Sequence, residues 1–336
     1  MRAGLASRLR NHAGSLARSL TSGDNRGMEN DLVRWLHSYA RGHKRLVLGL
    51  GDDAAVLELA AGQHLVATTD MLMDGVDFRV GEHRATDIGY KALAVNLSDL
   101  AAMAARPLAA LVSLALPRQG GEALAKDLYD GMAPLLLAHD MALAGGDTNS
   151  WDGPLVISVT ALGHVSPGKE WRRSGARPGD AIVVTGRFGG SLLGRHLAPE
   201  PRVEEALWLV ENAEVHAAID VSDGLSLDLS RVAEESKCGA VLELDTIPIA
   251  QAARELATRE PLPGTALDHA LSDGEDFELI LAMPAEEAER LVRLQPFETP
   301  LSIVGRFVQQ PGLWASDPSG KLQPLAARGW EHRLEP

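Results

Sequence analysis

A single cysteine, Cys238, occurs in 336 residues. No internal disulfide can form, and no cysteine-rich zinc site exists. A reducing cytoplasm fits this usage. Cys238 follows a helical pattern and reads as a buried, inert thiol rather than a nucleophile. Lysine is scarce, with six in the chain. No Gly-x-x-x-x-Gly-Lys-Ser/Thr loop is present, which excludes a P-loop nucleotide site. The His-Arg-Asp and Asp-Phe-Gly pair of protein kinases is missing too. So are His-Glu-x-x-His and Gly-x-Ser-x-Gly, the marks of zinc peptidases and serine hydrolases. No apolar stretch approaches the roughly 20 residues of a membrane span. The longest, Leu108 to Leu116, is strand-sized and includes Ser113. Positive charge is also short. The formal net charge is −14, which argues against nucleic acid as the main partner because phosphate backbones reward Lys and Arg.

What is present suits an ordinary folded chain, with 45% hydrophobic and 23% charged residues. The length fits two domains better than one. The first 27 residues stand apart: they hold five Arg (2, 8, 10, 18, 26), one Asp, and no Lys or Glu. Such a start can resemble an organelle transit peptide. The simpler expectation is a disordered tail, or a start codon assigned upstream of Met28.

From Met28 to Ala40, Leu32, Trp35 and Leu36 share a helical face. Leu46 to Leu50 and Ala54 to Leu59 read as short strands on either side of Gly51-Asp52-Asp53. His64 to Thr69 reads as a strand ending at Asp70. Thr86 is the expected N-cap of a helix running to Ala105 and stopped by Pro107. Leu108 to Leu116 is a strand, Glu122 to His139 a helix with a possible kink at Pro134, and Met141 to Ala144 a lead into Gly145-Gly146-Asp147-Thr148-Asn149. Leu155 to Gly163 alternates as a strand does. Ser166 to Gly179, rich in Pro, Gly and basic residues, is the best boundary. Beyond it, strands are expected at Ala181 to Thr185, Ala217 to Ile219, Ala240 to Leu244, Phe277 to Ala282 and Leu301 to Gly305, with a helix from Ser226 to Lys237. The expectation is an α/β (α+β) protein of two mixed domains, residues 28–165 and 166–336, behind a tail of residues 1–27.

Six acidic clusters then stand out: Asp52-Asp53, Thr68-Thr69-Asp70, Asn96-Leu97-Ser98-Asp99, Gly146-Asp147, Asp220-Val221-Ser222-Asp223 and Asp273-Gly274-Glu275-Asp276. Each is expected at a strand end or a Gly-rich turn, where ligands of α/β domains collect. Taken singly, any one is better explained as a turn. Together, carboxylates in such places repel unless a cation intervenes. Hard oxygen donors suit Mg²⁺ or Mn²⁺, not zinc or copper. Donors for phosphate are the backbone amides of the Gly-rich turns and a few arginines, with Arg172-Arg173-Ser174-Gly175 the best cluster. An exposed basic linker explains that cluster equally well. Gly186-Arg187-Phe188-Gly189-Gly190 after a strand is a weak dinucleotide-turn signal.

Several motifs in order resemble the thiamine-monophosphate kinase family: Gly-Asp-Asp-Ala-Ala-Val (51–56), Thr-Thr-Asp (68–70), Tyr-Lys-Ala-Leu-Ala-Val-Asn-Leu-Ser-Asp-Leu-Ala-Ala-Met (90–103), Gly-Gly-Asp-Thr (145–148), Arg-Ser-Gly-Ala-Arg-Pro-Gly-Asp (173–180), Ile-Asp-Val-Ser-Asp-Gly-Leu (219–225) and Asp-Gly-Glu-Asp-Phe-Glu-Leu (273–279). That family sits in a superfamily with aminoimidazole ribonucleotide synthetase, selenophosphate synthetase and a hydrogenase maturation protein. Asp147 in place of Glu, no reactive N-terminal cysteine, and an Arg-Leu-Glu-Pro end separate the chain from those three in turn.

The resemblance implies direct in-line transfer of the ATP γ-phosphate onto thiamine monophosphate, giving thiamine diphosphate. It implies several Mg²⁺ ions, ATP as co-substrate and room for K⁺. Two polyanions must be brought together, so metals and positioned donors carry the catalysis and no separate acid, base or nucleophile is implied. By resemblance, Asp53, Thr68, Thr69, Asp70, Asp99, Asp147, Asp220 and Asp223 look like metal ligands. Tyr129, Gly146, Asp147, Arg173 and Ser222 look like ATP contacts. Glu275 and Trp330 look like acceptor-site residues, the indole stacking on a thiamine ring. The resemblance also implies a homodimer whose N-terminal domains meet in a barrel-like interface, with the C-terminal domain packed behind.

One position departs from the family. Asp77 stands in Gly75-Val76-Asp77-Phe78 where the family has a substrate-contacting His. A carboxylate there requires a compensating cation or a differently held acceptor. The alternatives are therefore a superfamily enzyme acting on another small phosphorylated acceptor, or a non-catalytic nucleotide- and metal-binding relative.

Overall fold

A computed structural model describes residues 32, 35, 36, 43–48, 54–259, 264–316 and 319–331. The expected tail and Gly51-Asp52-Asp53 lie outside them. So does most of the expected Met28–Ala40 helix, of which Leu32, Trp35 and Leu36 are helical.

The strands are β1 (Leu46–Leu48), β2 (Val56–Leu57), β3 (His64–Met73), β4 (Arg106–Pro117), β5 (Ala142–Trp151), β6 (Val156–Val165), β7 (Ala181–Thr185), β8 (Ala217–Asp220), β9 (Gly239–Glu243), β10 (Leu279–Met283), β11 (Leu301–Val308), β12 (Gly312–Ser316) and β13 (Leu322–Pro324). The α-helices are α1 (Ala85–Ala102), α2 (Gly121–Ala138), α3 (Val203–Asn212), α4 (Leu225–Glu235), α5 (Gln251–Leu256), α6 (Ala266–Ser272) and α7 (Ala285–Leu294). β1 pairs with β2, and the other strands form two larger sheets. One is four-stranded in the order β3-β6-β4-β5, the other seven-stranded in the order β13-β12-β9-β11-β7-β10-β8.

The unbroken apolar runs of β7 and β10 predict strands covered on both faces, and every residue of both is buried. One face of the seven-stranded sheet, with Val183, Leu279 and Leu281, joins a core with Ala206 and Leu209 of α3 and Leu291 of α7. The other, with Val184, Ile219 and Ile280, packs on Leu229 and Val232 of α4 and Leu271 of α6. The first core continues without a break into α1, α2 and the inner face of the four-stranded sheet.

The central element is α1. Every residue from Ile88 to Ala102 is buried except Tyr90 and Asp99. A helix apolar nearly all round belongs inside a protein. It crosses α2 backbone to backbone: a Cβ on Gly131 would stand 1.9 Å from the Thr86 carbonyl oxygen, and one on Gly89 2.0 Å from that of Leu128. Any larger residue at either position forces the helices apart.

Four local expectations need correction. The N-cap of α1 is Arg84 rather than Thr86, whose hydroxyl is buried inside the first turn without a hydrogen bond. The helix stops through its own backbone rather than through Pro107. Ala104 adopts φ 52°, and the Ala105 amide returns to the Leu100 carbonyl at 2.8 Å. Pro107 lies inside β4. β3 runs three residues past Asp70, and β5 passes straight through Gly145-Gly146-Asp147, so neither is a strand end or turn. Gly146 is required in that strand because a Cβ there would meet the Val112 carbonyl oxygen at 1.8 Å.

Candidate functional site

Three carboxylates from three elements meet where α1 passes between the two sheets. Asp70 comes from β3, Asp99 from the interior of α1, and Asp220 from the end of β8. Asp99 thus lies on the helix expected from Thr86 to Ala105, although its cluster is grouped with strand ends and turns. The Thr68 hydroxyl donates to Asp99 Oδ2, and the Ser98 hydroxyl donates to Asp220 Oδ2 at 2.7 Å. Burial, then Asp99 and Asp77, pushes Asp70 up to about 7. Burial raises Asp99 as well, while Thr68 and Arg173 pull it back. Asp220 is raised by burial, then by Asp99. Carboxylates that hold one another up in this way lack positive charge. Arg173, from the basic segment before β7, is the arginine whose field reaches Asp99.

The turn after β8 is the second part. Its amides at Asp223 and Gly224 donate to Asp228 Oδ2 at 2.9 and 3.1 Å, and Arg231 Nη1 binds Asp223 Oδ2 at 2.6 Å. Burial keeps Asp228 up at about 6. Two expected acceptor-site residues hang on this turn. The Glu275 amide donates to the Ser222 carbonyl at 2.7 Å, and the Trp330 amide to the Asp223 carbonyl at 2.9 Å. Trp330 is 58% exposed. Glu275 and Phe277 have φ of 53° and 51°. Such left-handed residues cost about 1–2 kcal/mol each and persist where the surroundings hold them.

The remaining expected residues divide. Strand alternation turns Thr69 to the opposite face of the four-stranded sheet from Thr68, and its hydroxyl pairs with Thr160. Asp147 lies in the row Met71–Ser158–Ser113–Asp147, on that same outer face. This face is exposed and largely apolar, with Leu65 54% and Met71 62% exposed. Tyr129 is 2% exposed inside the α1–α2 core, its ring centroid 6.0 Å from that of Trp35. This burial does not favour the expected ATP contact. Asp53 lies outside the described residues.

Two suspected features have partners within the fold. The amides of Gly189 and Gly190 donate to Asp276 at 2.9 Å and Asp273 at 2.8 Å, and Arg195 also binds Asp276. The Gly186–Gly190 corner therefore has its amides filled by carboxylates and offers no dinucleotide cradle. The Asp77 carboxylate accepts from its own turn, from the Met73 amide at 2.7 Å. Ser98 and Lys91 carried no mark as isolated residues. Both are fully buried polar groups on α1, and a polar residue in an all-apolar helix is the signal that could have found them.

The donor set is suited to a hard divalent cation: carboxylate and hydroxyl oxygens, half-buried, with too few cations of their own. Among the described residues no three His, Cys, Asp or Glu close around a single ion. The fit is one of chemistry and charge.

An acidic, multi-carboxylate site between two mixed α/β sheets defines a class that handles polyanions, and the comparisons agree. The family model for AIR synthase related protein, N-terminal domain, matches residues 51–165, and that for the C-terminal domain residues 177–315. Thiamine-monophosphate kinase of Rhodopirellula baltica is 46% identical over 91% of this chain and 97% of that protein. The crystal structure of thiamine-monophosphate kinase from Stenotrophomonas maltophilia K279a is 40% identical, with a TM-score of 0.73 over 85% of this chain and 94% of that one. AaThiL complexed with AMPPCP and TMP is 25% identical, with a TM-score of 0.71 over 94% of this chain and all of that one. The chain belongs to the AIR synthase related family and, within it, to the thiamine-monophosphate kinases.

Proposed function

We propose that this chain transfers the γ-phosphate of ATP directly onto thiamine monophosphate, giving thiamine diphosphate and ADP. One observation carries the reading at the level of the site. The undercompensated carboxylates Asp70, Asp99 and Asp220 lie at the base of the turn that bears Glu275 and Trp330. Phosphate-handling and acceptor-handling residues thus share one rigid junction. Asp70, Asp99, Asp220 and Asp223, with Thr68 and with Asp53, Thr69 and Asp147, would hold Mg²⁺. The bound Mg²⁺ supplies the positive charge that lets two polyanions approach in line. Arg173 would clamp an ATP phosphate, assisted by Gly146, Asp147 and Ser222. Trp330 would stack on the thiamine ring, with Glu275 beside it.

The outer face of the four-stranded sheet, with Leu65, Met71 and Met73 uncovered, fits a homodimer closed as a barrel of two such sheets. Thr69 and Asp147 would then lie at that junction. The N-terminal unit would span residues 28–165 and the C-terminal unit 166–336. Among the described residues no helix is long and apolar enough to cross a membrane, and a cytoplasmic enzyme is the reading adopted.

A second acceptor is favoured only by Asp77, and the hydrogen bond from Met73 to its carboxylate weakens that case. Incubation with Mg²⁺, ATP and thiamine monophosphate, followed by chromatography, should yield equal amounts of thiamine diphosphate and ADP. ATP binding without thiamine diphosphate would shift the reading to another phosphorylated acceptor.

A further inference from the structure

Lys91 is an unusual residue in an unusual place. It lies in α1 with no exposed surface, the largest of the fully buried side chains. A buried ammonium is tolerated only where its charge and its three N–H groups are met. Two partners are present: the Asp77 carbonyl at 2.8 Å, and Glu275 Oε1. These come from opposite ends of the chain, one from the turn after β3 and one from the loop before β10. Glu275 is also one of the two non-glycine left-handed residues of that loop. Its amide is fixed to Ser222, so backbone and side chain are both pinned. Among the described residues nothing else donates to the Glu275 carboxylate, which leaves Oε2 for a donor on a ligand.

The helix makes this contact consequential. Lys91 and the pair Ser98-Asp99 are seven and eight residues apart on α1, or roughly 11 Å along its axis. One buried helix therefore carries Lys91, the anchor of the Glu275 loop, and, two turns on, Asp99 and the Ser98 hydroxyl that holds Asp220. Close by lies His196, whose imidazole burial and Lys91 both hold below its usual range, and whose ring centroid is 5.7 Å from that of His83.

We propose that Lys91 is a positioning residue of the acceptor site. Its ammonium holds the Glu275 carboxylate and the Asp77 turn in register with α1, and so fixes the distance between the bound acceptor and the phosphate-transfer centre. The inference rests on the acceptor-site reading of Glu275. Lys91 reaches that turn at the main-chain carbonyl of Asp77, while the Asp77 carboxylate accepts from the Met73 amide.

The test is the full chain with Lys91→Met, which keeps length and removes charge. At saturating Mg²⁺-ATP, the KM for thiamine monophosphate should rise at least tenfold, while the KM for ATP stays within twofold. Lys91→Met combined with Glu275→Gln should be no worse than the worse single variant, because both act through one contact. Equal changes in both KM values, no change in either, or independent multiplying effects in the double variant would overturn the proposal. Should Lys91→Met fail to fold, Lys91→Gln, which keeps a polar end but removes the charge and is one atom too short for the same contact, is judged by the same selective shift. Wild-type protein that makes no thiamine diphosphate would sink the kinase reading instead. Wild-type turnover with an unshifted Lys91 variant sinks only this inference.

Discussion

Two groups of acidic residues in this chain are held in different ways. Asp273-Gly274-Glu275-Asp276 is rich in carboxylates, and each has a donor, although burial and the neighbouring Glu278 and Asp273 still push Asp276 up to about 7. Gly189, Gly190 and Arg195 take Asp276 and Asp273, and Lys91 takes Glu275. The group formed by Asp70, Asp99 and Asp220 draws on hydroxyls and one arginine; burial raises all three, and Asp99 raises Asp70 and Asp220 further. What separates the two groups is their partners: two cations and two amides on the loop, hydroxyls and the field of one arginine at Asp70, Asp99 and Asp220.

The largest separation of the two regions should come from catalysis. Asp99→Asn is expected to lower kcat by about 10²–10³-fold or more, the scale of removing one preorganised electrostatic group, with the thermal midpoint of the metal-free protein unchanged or raised. Near-normal turnover would remove Asp99 from the centre. Asp276→Ala should do the reverse. It takes Asp276 away from Arg195 and from the Gly189 amide, so a loss of about 3–5 kcal/mol in denaturant unfolding is expected. An unfolding midpoint like that of the wild type would show that this loop does not depend on Asp276.

A smaller effect follows from protonation. Asp70 is held at about 7, above its usual 3.8. The folded, metal-free state therefore binds a proton that the unfolded chain has released between these values. Its stabilising contribution is complete below about pH 4 and is lost as pH rises through 7. Mg²⁺ must displace that proton, so its affinity should increase from pH 6 to pH 8 with proton release. Calorimetry in two buffers of different ionisation enthalpy reads this, and a buffer-independent heat would contradict it. The smallest effect belongs to Asp77→His. It removes a charge felt by Asp70 and a hydrogen bond from Met73. The KM for thiamine monophosphate should fall a few-fold at a cost of about 1 kcal/mol in stability. A higher KM would mean that the pocket is built around the Asp.

The sequence made the strands of the second half legible because β7, β8 and β10 are short, apolar and doubly covered. Residue-level patterns failed where tertiary packing overrides them. Thr86 has the look of an N-cap but is drawn inside α1 by its contact with α2. Gly145-Gly146-Asp147 looks like a turn, yet its glycine is there so that β5 can pass close to Val112. The helices α3, α5, α6 and α7 went unassigned, although α7 alternates Ala and Leu with Glu and Arg at helical spacing. For the site, carboxylates could be named but not sorted. Facing is a property of register: Thr68 and Thr69 are neighbours that point to opposite sides of one sheet. Lys91 stayed hidden because its two partners lie 14 residues behind it and 184 ahead of it in the chain.

The account stands most directly on where divalent ions bind. Mn²⁺ titration followed by electron paramagnetic resonance, in the presence of a non-hydrolysable ATP analogue, counts them. Wild-type protein and Asp276→Asn should bind the same number of ions with similar affinity, while Asp99→Asn should lose at least one. Equal Mn²⁺ binding by wild type and Asp99→Asn, or loss confined to Asp276→Asn, would contradict the division between the two acidic regions.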